Sequence, residues 1–395
     1  MRKVNIFSQK LFIEDKLILL LARLNFTKDE IKHLEESISG VNNWEYLTQS
    51  AIRNGVGALL YKNILSLNFS DKIPPETILK LKNVYYLLIS KNVILYEHFK
   101  EAVIAISKQG ISVIALKGIF IAEKVYKDIG LRLLSDIDLL IQTEEIEKAA
   151  NSLINSGFVD YNKILHKNFH LKKDFAFVKN DVLLELHQHI HQCSQDINVN
   201  ISDYWKRSKK TTVNGLDVFV LSDEDMIQHL CLHLFVHLRK GNFSLISFVD
   251  IAELLTNYYS NFNWNLFNEI NIKYNCSKEA YTIIYLTNKY LNLELPEKIL
   301  EISYKNTDPN LENRFIDVLH GNEIHTVKSE VNKLIYFNKT KGFTNKLKYF
   351  ISELFPIKNF MINRYKPKYK SLYFLYYPLR FVVILIKFFK NIISR

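Results

Sequence analysis

Residues Ala115–Ile141 have the sequence ALKGIFIAEKVYKDIGLRLLSDIDLLI, around which the rest of the chain is arranged. An apolar run, Ile111–Leu116, enters this segment and meets Lys117-Gly118. Apolar residues then recur at helical spacing, and a last apolar run has the composition of a buried strand. The pattern therefore predicts a strand, a tight turn, a helix and a second strand.

Two acidic residues stand at the start of the second apolar strand. Because side chains alternate along a strand, Asp136 and Asp138 point to one face, and Ile137 and Leu139 point to the other. Burial of two like charges is costly unless a cation neutralises them. Hard carboxylate oxygens with no thiol nearby favour Mg²⁺ or Mn²⁺ over zinc. The sequence thus predicts a divalent metal site on this face.

A third carboxylate lies in Val182–His191, which has the sequence VLLELHQHIH. Hydrophobic residues flank Glu185, so this segment is also predicted to be a strand. It is expected to form a hairpin with Phe169–Val178, since Asn180 and Asp181 between them are turn residues. The hairpin brings Glu185 towards the acidic pair. Three such acids can hold two divalent ions, which clamp a triphosphate and align an attacking oxygen.

A Lys-Gly turn, an arginine, a D-x-D strand and an E-x-H run follow one another along the chain: Lys117-Gly118, Arg132, Ser135-Asp136-Ile137-Asp138-Leu139-Leu140 and Glu185-Leu186-His187. Together they resemble the uncharacterised bacterial nucleotidyltransferases of the polymerase-β superfamily. The superfamily's usual Gly-Ser or Gly-Gly turn is Lys-Gly here, as in this branch. The resemblance continues over most of the chain, through Leu216–Leu221, Asp225–His237 and Phe248-Val249-Asp250-Ile251-Ala252.

The resemblance implies an α+β fold: a polymerase-β-like core of a small mixed sheet with helices, flanked by N- and C-terminal helical regions. It implies Mg²⁺-dependent (or Mn²⁺-dependent) transfer of a nucleoside monophosphate from a nucleoside triphosphate to an unidentified hydroxyl or phosphate acceptor, releasing pyrophosphate. Asp136 and Asp138 would ligate the metals, and Glu185 would ligate the second one and orient or deprotonate the acceptor hydroxyl. The alternative is a catalytically inactive nucleotide-binding sensor or scaffold.

Four further residues are candidates for nucleotide contacts. Gly118 would let the backbone approach phosphates at a helix N-terminus. Lys117 either neutralises the β- or γ-phosphate or is a solvated turn lysine. Arg132 offers either a bidentate fork to phosphate or a brace behind the aspartate pair. Ser135 either donates a hydrogen bond to phosphate or is satisfied by backbone at the strand entry.

Histidines form a short row beside the third acid. His187, His189 and His191 alternate with Glu185 and share its face if the strand continues, so the spacing alone allows a zinc site. The alternative is that His187 packs near Glu185 and fixes its orientation.

A second row lies further along the chain. His229, His233 and His237 are four residues apart and line one stripe of a predicted helix. The stripe faces the nucleotide cleft, binds a metal with Asp250, or consists of partly buried histidines bonded to backbone carbonyls.

The periodicity divides the chain into four parts. Residues 1–97 are predicted to be a helical lobe, 98–220 the catalytic domain, 221–340 a second helical domain and 341–395 a basic aromatic tail. Within them, Thr27 is a predicted N-cap with Glu30 three residues later, and Ser222 with Asp225 repeats that pattern. Thr143 is a predicted N-cap of a helix to Ser156. Val213–Val220 is expected to be one strand interrupted by Asn214-Gly215.

Composition sets outer limits. A net charge of +11 predicts attraction to polyanions, namely nucleotides, nucleic acid or an anionic membrane, but no nucleic-acid-binding motif is recognised. The cysteines, Cys193, Cys231 and Cys276, are far apart, which argues against a disulfide framework and for a reducing, cytoplasmic setting. The tail Tyr365–Arg395 is basic and aromatic. It either lies on the inner face of an anionic membrane or packs on the helical lobe.

Overall fold

The computed structural model describes residues 11–161, 175–190, 199–258, 261–321, 374 and 376–378. The chain divides into two compact units, residues 1–160 with 171–323, and residues 161–170 with 324–395. In the second unit, residue 374 has a 3-10 conformation and residues 376–378 are helical. The interpretation of the tail otherwise falls outside the described residues, as do predictions on His191, Cys193 and residues 169–174.

The first part of the chain is helical, as predicted: α1 (Ile13–Leu21), α2 (Lys28–Ser39), α3 (Trp44–Arg53), α4 (Gly57–Ser66) and α5 (Pro75–Ser107). The capping box of α2 is confirmed, since the Thr27 side chain accepts from the Glu30 N–H and the Glu30 side chain accepts from the Thr27 N–H. Helix α5 continues through the proposed boundary between residues 97 and 98. The division into domains stays a prediction.

Among the residues that the structure describes, seven strands form one mixed sheet in the order β3-β4-β5-β2-β1-β7-β6. Strand β2 lies at its centre, parallel to β5 and antiparallel to β1. A fold that mixes helices with a sheet is confirmed, but this sheet is larger than the small one expected. The strands are β1 (Ile114–Ala115), β2 (Asp136–Leu140), β3 (Val159–Asp160), β4 (Phe175–Lys179), β5 (Val182–His187), β6 (Lys209–Val213) and β7 (Leu216–Val220).

The two hairpins of the sheet use turns of the same kind. Asn180 and Asp181 both have positive φ, 48° and 64°, and Lys179 pairs with Val182, which confirms the β4–β5 hairpin. The expectation of one interrupted strand over Val213–Val220 is wrong. Asn214 and Gly215 are the turn of a second hairpin, whose first strand is the polar, largely exposed edge strand β6.

The remaining helices cover the sheet and form the later helical part: α6 (Gly118–Lys124), α7 (Ile146–Asn155), α8 (Ile201–Arg207), α9 (Asp223–Lys240), α10 (Leu245–Tyr258), α11 (Trp264–Lys273), α12 (Ser277–Leu291), α13 (Glu297–Lys305) and α14 (Pro309–Leu319). Ser222 caps α9 by accepting from the Asp225 N–H, as expected. Thr143 is not the cap of α7, because residues 143–145 form a separate 3-10 turn before that helix begins.

The core of the described chain is continuous from the first helices through the sheet to α14. Ile137 and Leu139 of β2 are fully buried in it. Because these apolar side chains alternate with Asp136 and Asp138, they fix which face of β2 carries the acids.

Candidate functional site

The acidic face of β2 lies beside the acid of β5. The two strands are parallel, and their register pairs Asp138 with Glu185 and Leu140 with His187. In a parallel pair, residues in register project to the same side of the sheet. The predicted approach of Glu185 to the D-x-D strand is therefore confirmed, and His187 lies one step further along the same face.

Both carboxylate oxygens of Asp138 have a partner. It is 7% exposed; its Oδ1 lies 2.7 Å from the Nε2 of His187, and its Oδ2 lies 3.3 Å from the Nζ of Lys117. Burial works against ionisation of Asp138, but the charges of Lys117, His187 and His233 outweigh it and hold the pKa of this carboxyl well below its usual range. Asp138 is thus an anion inside the protein.

The neighbouring carboxyls have the opposite tendency. Burial, followed by the negative charge of Asp138, raises the pKa of Asp136, and the same two causes raise the pKa of Glu185. Ser135 donates a hydrogen bond of 2.7 Å to Asp136 Oδ1. Its hydroxyl is therefore satisfied by that carboxylate and not by backbone. The group carries more negative charge than Lys117 alone can balance.

The Lys-Gly turn joins β1 to α6 through a strained residue. Lys117 has φ 49° and ψ −119°, a conformation that costs a non-glycine residue of order 1–3 kcal/mol. Its side chain is 15% exposed and reaches Asp138, so it is not a solvated turn lysine. The residue with the strained backbone is therefore also the one whose amine contacts Asp138.

Gly118 leaves room for Arg132. A Cβ at position 118 would come within 2.6 Å of the Nη1 of Arg132 and 2.9 Å of a methyl carbon of Leu134. Close packing thus explains the glycine at this position. An approach of its backbone to phosphates stays a prediction.

Arg132 is held by Asp250. Its Nε and Nη2 lie 2.9 and 2.6 Å from the two carboxylate oxygens, and the Tyr126 hydroxyl donates to the same carboxylate at 3.0 Å. All three residues are buried. Of the alternatives for the histidine row, a metal site shared with Asp250 does not agree with the structure, because the Asp250 carboxylate is bound by Arg132 and Tyr126. The fork of Arg132 is likewise used within the protein, and no pattern in the sequence singles out Tyr126 as a further partner of Asp250.

The histidine row of α9 borders the acids. The rings of His229 and His233 have centroids 6.3 Å apart, and those of His233 and His237 are 4.4 Å apart. His233 helps to lower the pKa of Asp138, and the charge of Lys117, after burial and Lys240, contributes to lowering the pKa of His237. A stripe that faces the site agrees with these interactions.

Three side chains can share one ion. Among the described residues, Asp138, Glu185 and His187 are the group whose ligand atoms all lie within 4.8 Å of one another. Asp136 lies outside this set, and the histidines of α9 do not enter one. His189 is exposed, and the zinc site considered for the row of β5 is not found among the residues that the structure describes.

The chain belongs to the family of uncharacterised nucleotidyltransferases, whose family model matches residues 41–292. It is therefore placed among the transferases. Among solved structures, that of the antibiotic-resistance factor ANT(2'')-Ia is similar at 12% sequence identity and a TM-score of 0.33, over 47% of this chain and 92% of that chain. A likeness at that score supports no conclusion on function. No curated protein matches the chain. Within the described residues, none of the helices has the length and apolar character needed to cross a membrane.

Proposed function

We propose that this protein is a divalent-metal-dependent nucleotidyltransferase that moves a nucleoside monophosphate from a nucleoside triphosphate to a hydroxyl or phosphate acceptor and releases pyrophosphate. The observation that carries the proposal is the pairing of Asp138 with Glu185 on adjacent strands, with Lys117 over the same face. Family membership supplies the reaction type.

The residues present fit a divalent cation. Asp136, Asp138 and Glu185 bring three carboxylates to one face, and burial, followed by the negative charge of Asp138, raises the pKa of Asp136 and of Glu185. Carboxylate oxygens are the ligands that Mg²⁺ and Mn²⁺ prefer. When bound, such an ion supplies charge stabilisation for the phosphates and lowers the cost of bringing a second anion to the site.

The protein's own groups have distinct roles in this proposal. Glu185 orients the acceptor and takes its proton, for which a raised pKa suits a general base. The acceptor oxygen forms a bond to the α-phosphorus, the bond from that phosphorus to the bridging oxygen breaks, and pyrophosphate leaves with the electron pair. Lys117 moves its charge from Asp138 to the leaving phosphates. Ser135 holds Asp136 in place.

Arg132 has an indirect role. Its fork binds Asp250 while its Nη1 lies under the Lys-Gly turn, so it positions Lys117 from beneath. The histidine row of α9 lines the cleft beside these groups.

The test is incubation of the purified protein with each α-labelled nucleoside triphosphate and Mg²⁺ or Mn²⁺, with and without cell extract. The inactive comparison is Asp136→Asn/Asp138→Asn, and the matched control is Asp217→Asn, which removes a carboxylate that is 65% exposed and paired with Lys210. Label on an extract component with the unchanged protein and the control, but not with the double variant, supports the proposal. Binding of triphosphate without any transfer would favour the sensor instead.

A further inference from the structure

His187 lies where it can bind a metal ion as well as contact Asp138. It follows Glu185 by two residues on β5, so both side chains share the face that carries Asp138. The Nε2 of His187 lies 2.7 Å from Asp138 Oδ1 and 3.6 Å from Glu185 Oε2. One nitrogen therefore faces two carboxylates at once.

These separations fit one octahedral ion. With metal–ligand bonds of about 2.1 Å, ligand atoms lie about 3.0 Å apart when adjacent and about 4.2 Å apart when opposite. The ligand atoms of Asp138, Glu185 and His187 all fall within 4.8 Å of one another. The 2.7 Å between Asp138 Oδ1 and His187 Nε2 is close to the separation of adjacent ligands, and the limit of 4.8 Å lies just above that of opposite ligands.

Lys117 leaves this centre open. It contacts Oδ2 of Asp138, whereas His187 faces Oδ1. A cation bound by Oδ1, Glu185 and His187 would therefore lie on the side of the Asp138 carboxylate that Lys117 does not contact. Two carboxylates, those of Asp138 and Glu185, face this centre, and Asp136 lies close by on the same face of β2.

We propose that His187 is a metal ligand together with Asp138 and Glu185, and that this mixed set binds Mn²⁺ in preference to Mg²⁺. The proposal rests on the proposed function in that it concerns the same face of the sheet. Mg²⁺ is held almost wholly by oxygen ligands, whereas a first-row transition ion accepts imidazole nitrogen beside carboxylate oxygen. A histidine in this position shifts the preference of the site from Mg²⁺ to Mn²⁺.

The competing interpretation is that His187 only orients Asp138 through a hydrogen bond. That role keeps the imidazole nitrogen off the ion, so a spectroscopic measurement separates the two. In the pulsed electron paramagnetic resonance spectrum of bound Mn²⁺, a directly bound imidazole nitrogen gives an echo modulation that an orienting histidine does not give.

The experiment uses the full chain without nucleotide. Mn²⁺ binding is followed by loss of the free-ion resonance signal, Mg²⁺ binding by its competition, and the echo modulation is recorded for the bound Mn²⁺. His187→Gln is the test variant, because glutamine keeps polar atoms near Asp138 but removes the ring. His189→Gln is the matched control, since His189 is an exposed histidine two residues further along the same segment.

The expected result is nitrogen modulation in the unchanged protein and in His189→Gln, with none in His187→Gln. The Mn²⁺ affinity of His187→Gln should fall at least about tenfold, as for lost metal-site partners, while its Mg²⁺ affinity changes by less than about threefold. Absence of nitrogen modulation in the unchanged protein overturns the proposal, and that measurement does not depend on how the variant folds. Equal losses of affinity for both ions would also contradict it.

Failure here is distinct from failure of the proposed function. If Mn²⁺ binds without nitrogen modulation and labelled transfer still depends on Asp136 and Asp138, only the role of His187 is wrong. If nitrogen modulation is present but the Asp136→Asn/Asp138→Asn variant still transfers label, the metal site stands and the proposed reaction centre does not.

Discussion

Asp138 and Asp250 are both buried aspartates with a cationic partner, yet they are held in different ways. Asp250 is fully buried, and both of its oxygens are bound by the fork of Arg132, with Tyr126 as a third partner. Asp138 has one oxygen beside His187 and the other 3.3 Å from the amine of Lys117. Asp250 is thus fully paired within the protein, whereas Asp138 can exchange Lys117 for another cation.

The difference lies in the charge balance. One guanidinium matches one carboxylate at Asp250, so the pair needs no further ligand. Near Asp138, three carboxylates lie beside Lys117 and histidines, and the pKa values of Asp136 and Glu185 are raised by burial and then by the charge of Asp138. Perturbed titration in a cleft points to chemistry, whereas a satisfied buried ion pair supports structure.

The variant with the largest expected effect is Asp138→Asn, which tests whether Asp138 belongs to the reaction centre. We expect nucleotidyl transfer to fall by at least about a thousandfold, equivalent to about 4 kcal/mol in the barrier, because the central carboxylate of the site is lost. The free energy of unfolding should fall as well, because the charges of Lys117 and His187 favour the ionised Asp138, but by less than in Asp250→Asn, since Lys117 is partly exposed and still lies near the charge of Asp136. Labelled transfer and urea unfolding measure the two quantities. Retained transfer would place the reaction elsewhere.

Asp250→Asn should give the reverse result. Removal of one partner leaves the charge of Arg132 buried, which costs about 3–5 kcal/mol of unfolding free energy. Urea unfolding at constant temperature measures that loss. A loss below about 1 kcal/mol would mean that the Arg132–Asp250 pair does not stabilise the fold. Nucleotidyl transfer per folded molecule should fall far less than in Asp138→Asn.

Gly118→Ala tests the packing of the Lys-Gly turn against the Arg132–Asp250 pair, and its expected effect on stability is smaller. The added methyl group meets the guanidinium of Arg132, which Asp250 keeps from moving, so we expect a loss of about 1–3 kcal/mol. In the Asp250→Asn background the guanidinium is free to shift, and the cost of the alanine should shrink. A double-mutant cycle from urea unfolding gives the coupling; strictly additive losses would contradict this packing.

Lys117→Met has the smallest expected effect. The backbone strain remains, but the amine over the acids is lost, so binding of metal-bound triphosphate should weaken about tenfold, or about 1.4 kcal/mol. Lys127→Met is the matched control, because Lys127 also has a positive φ of 57° and is exposed. Isothermal titration calorimetry compares the two variants. Equal affinities would show that Lys117 serves only Asp138.

Local patterns in the sequence were sufficient for the acidic face. Alternation along β2 predicts that Asp136 and Asp138 share one side, and the turn residues Asn180 and Asp181 predict the hairpin that brings Glu185 close. Both inferences rest on neighbours in sequence. The family resemblance then supplied the reaction type, which the family match confirms.

Pairings between distant segments were not accessible in the same way. Arg132 and Asp250 are 118 residues apart, and no periodicity relates them, so the sequence offers Asp250 only as one alternative partner of the histidine row. Strand β6 was missed for a different reason. Its sequence, KKTTV, is polar because it lies at the edge of the sheet, where lysines deter pairing with other chains, so no apolar alternation marks it as a strand.

The long separation of Arg132 from Asp250 also orders events during synthesis. The acidic strand leaves the ribosome long before Asp250 does, since residues emerge in order at about 5–20 per second. Until α10 has emerged, Arg132 has no carboxylate to close its fork, and the turn that carries Lys117 has no support from beneath. A nascent chain that ends before Asp250 therefore holds all three acids before the buried partner of Arg132 has been made.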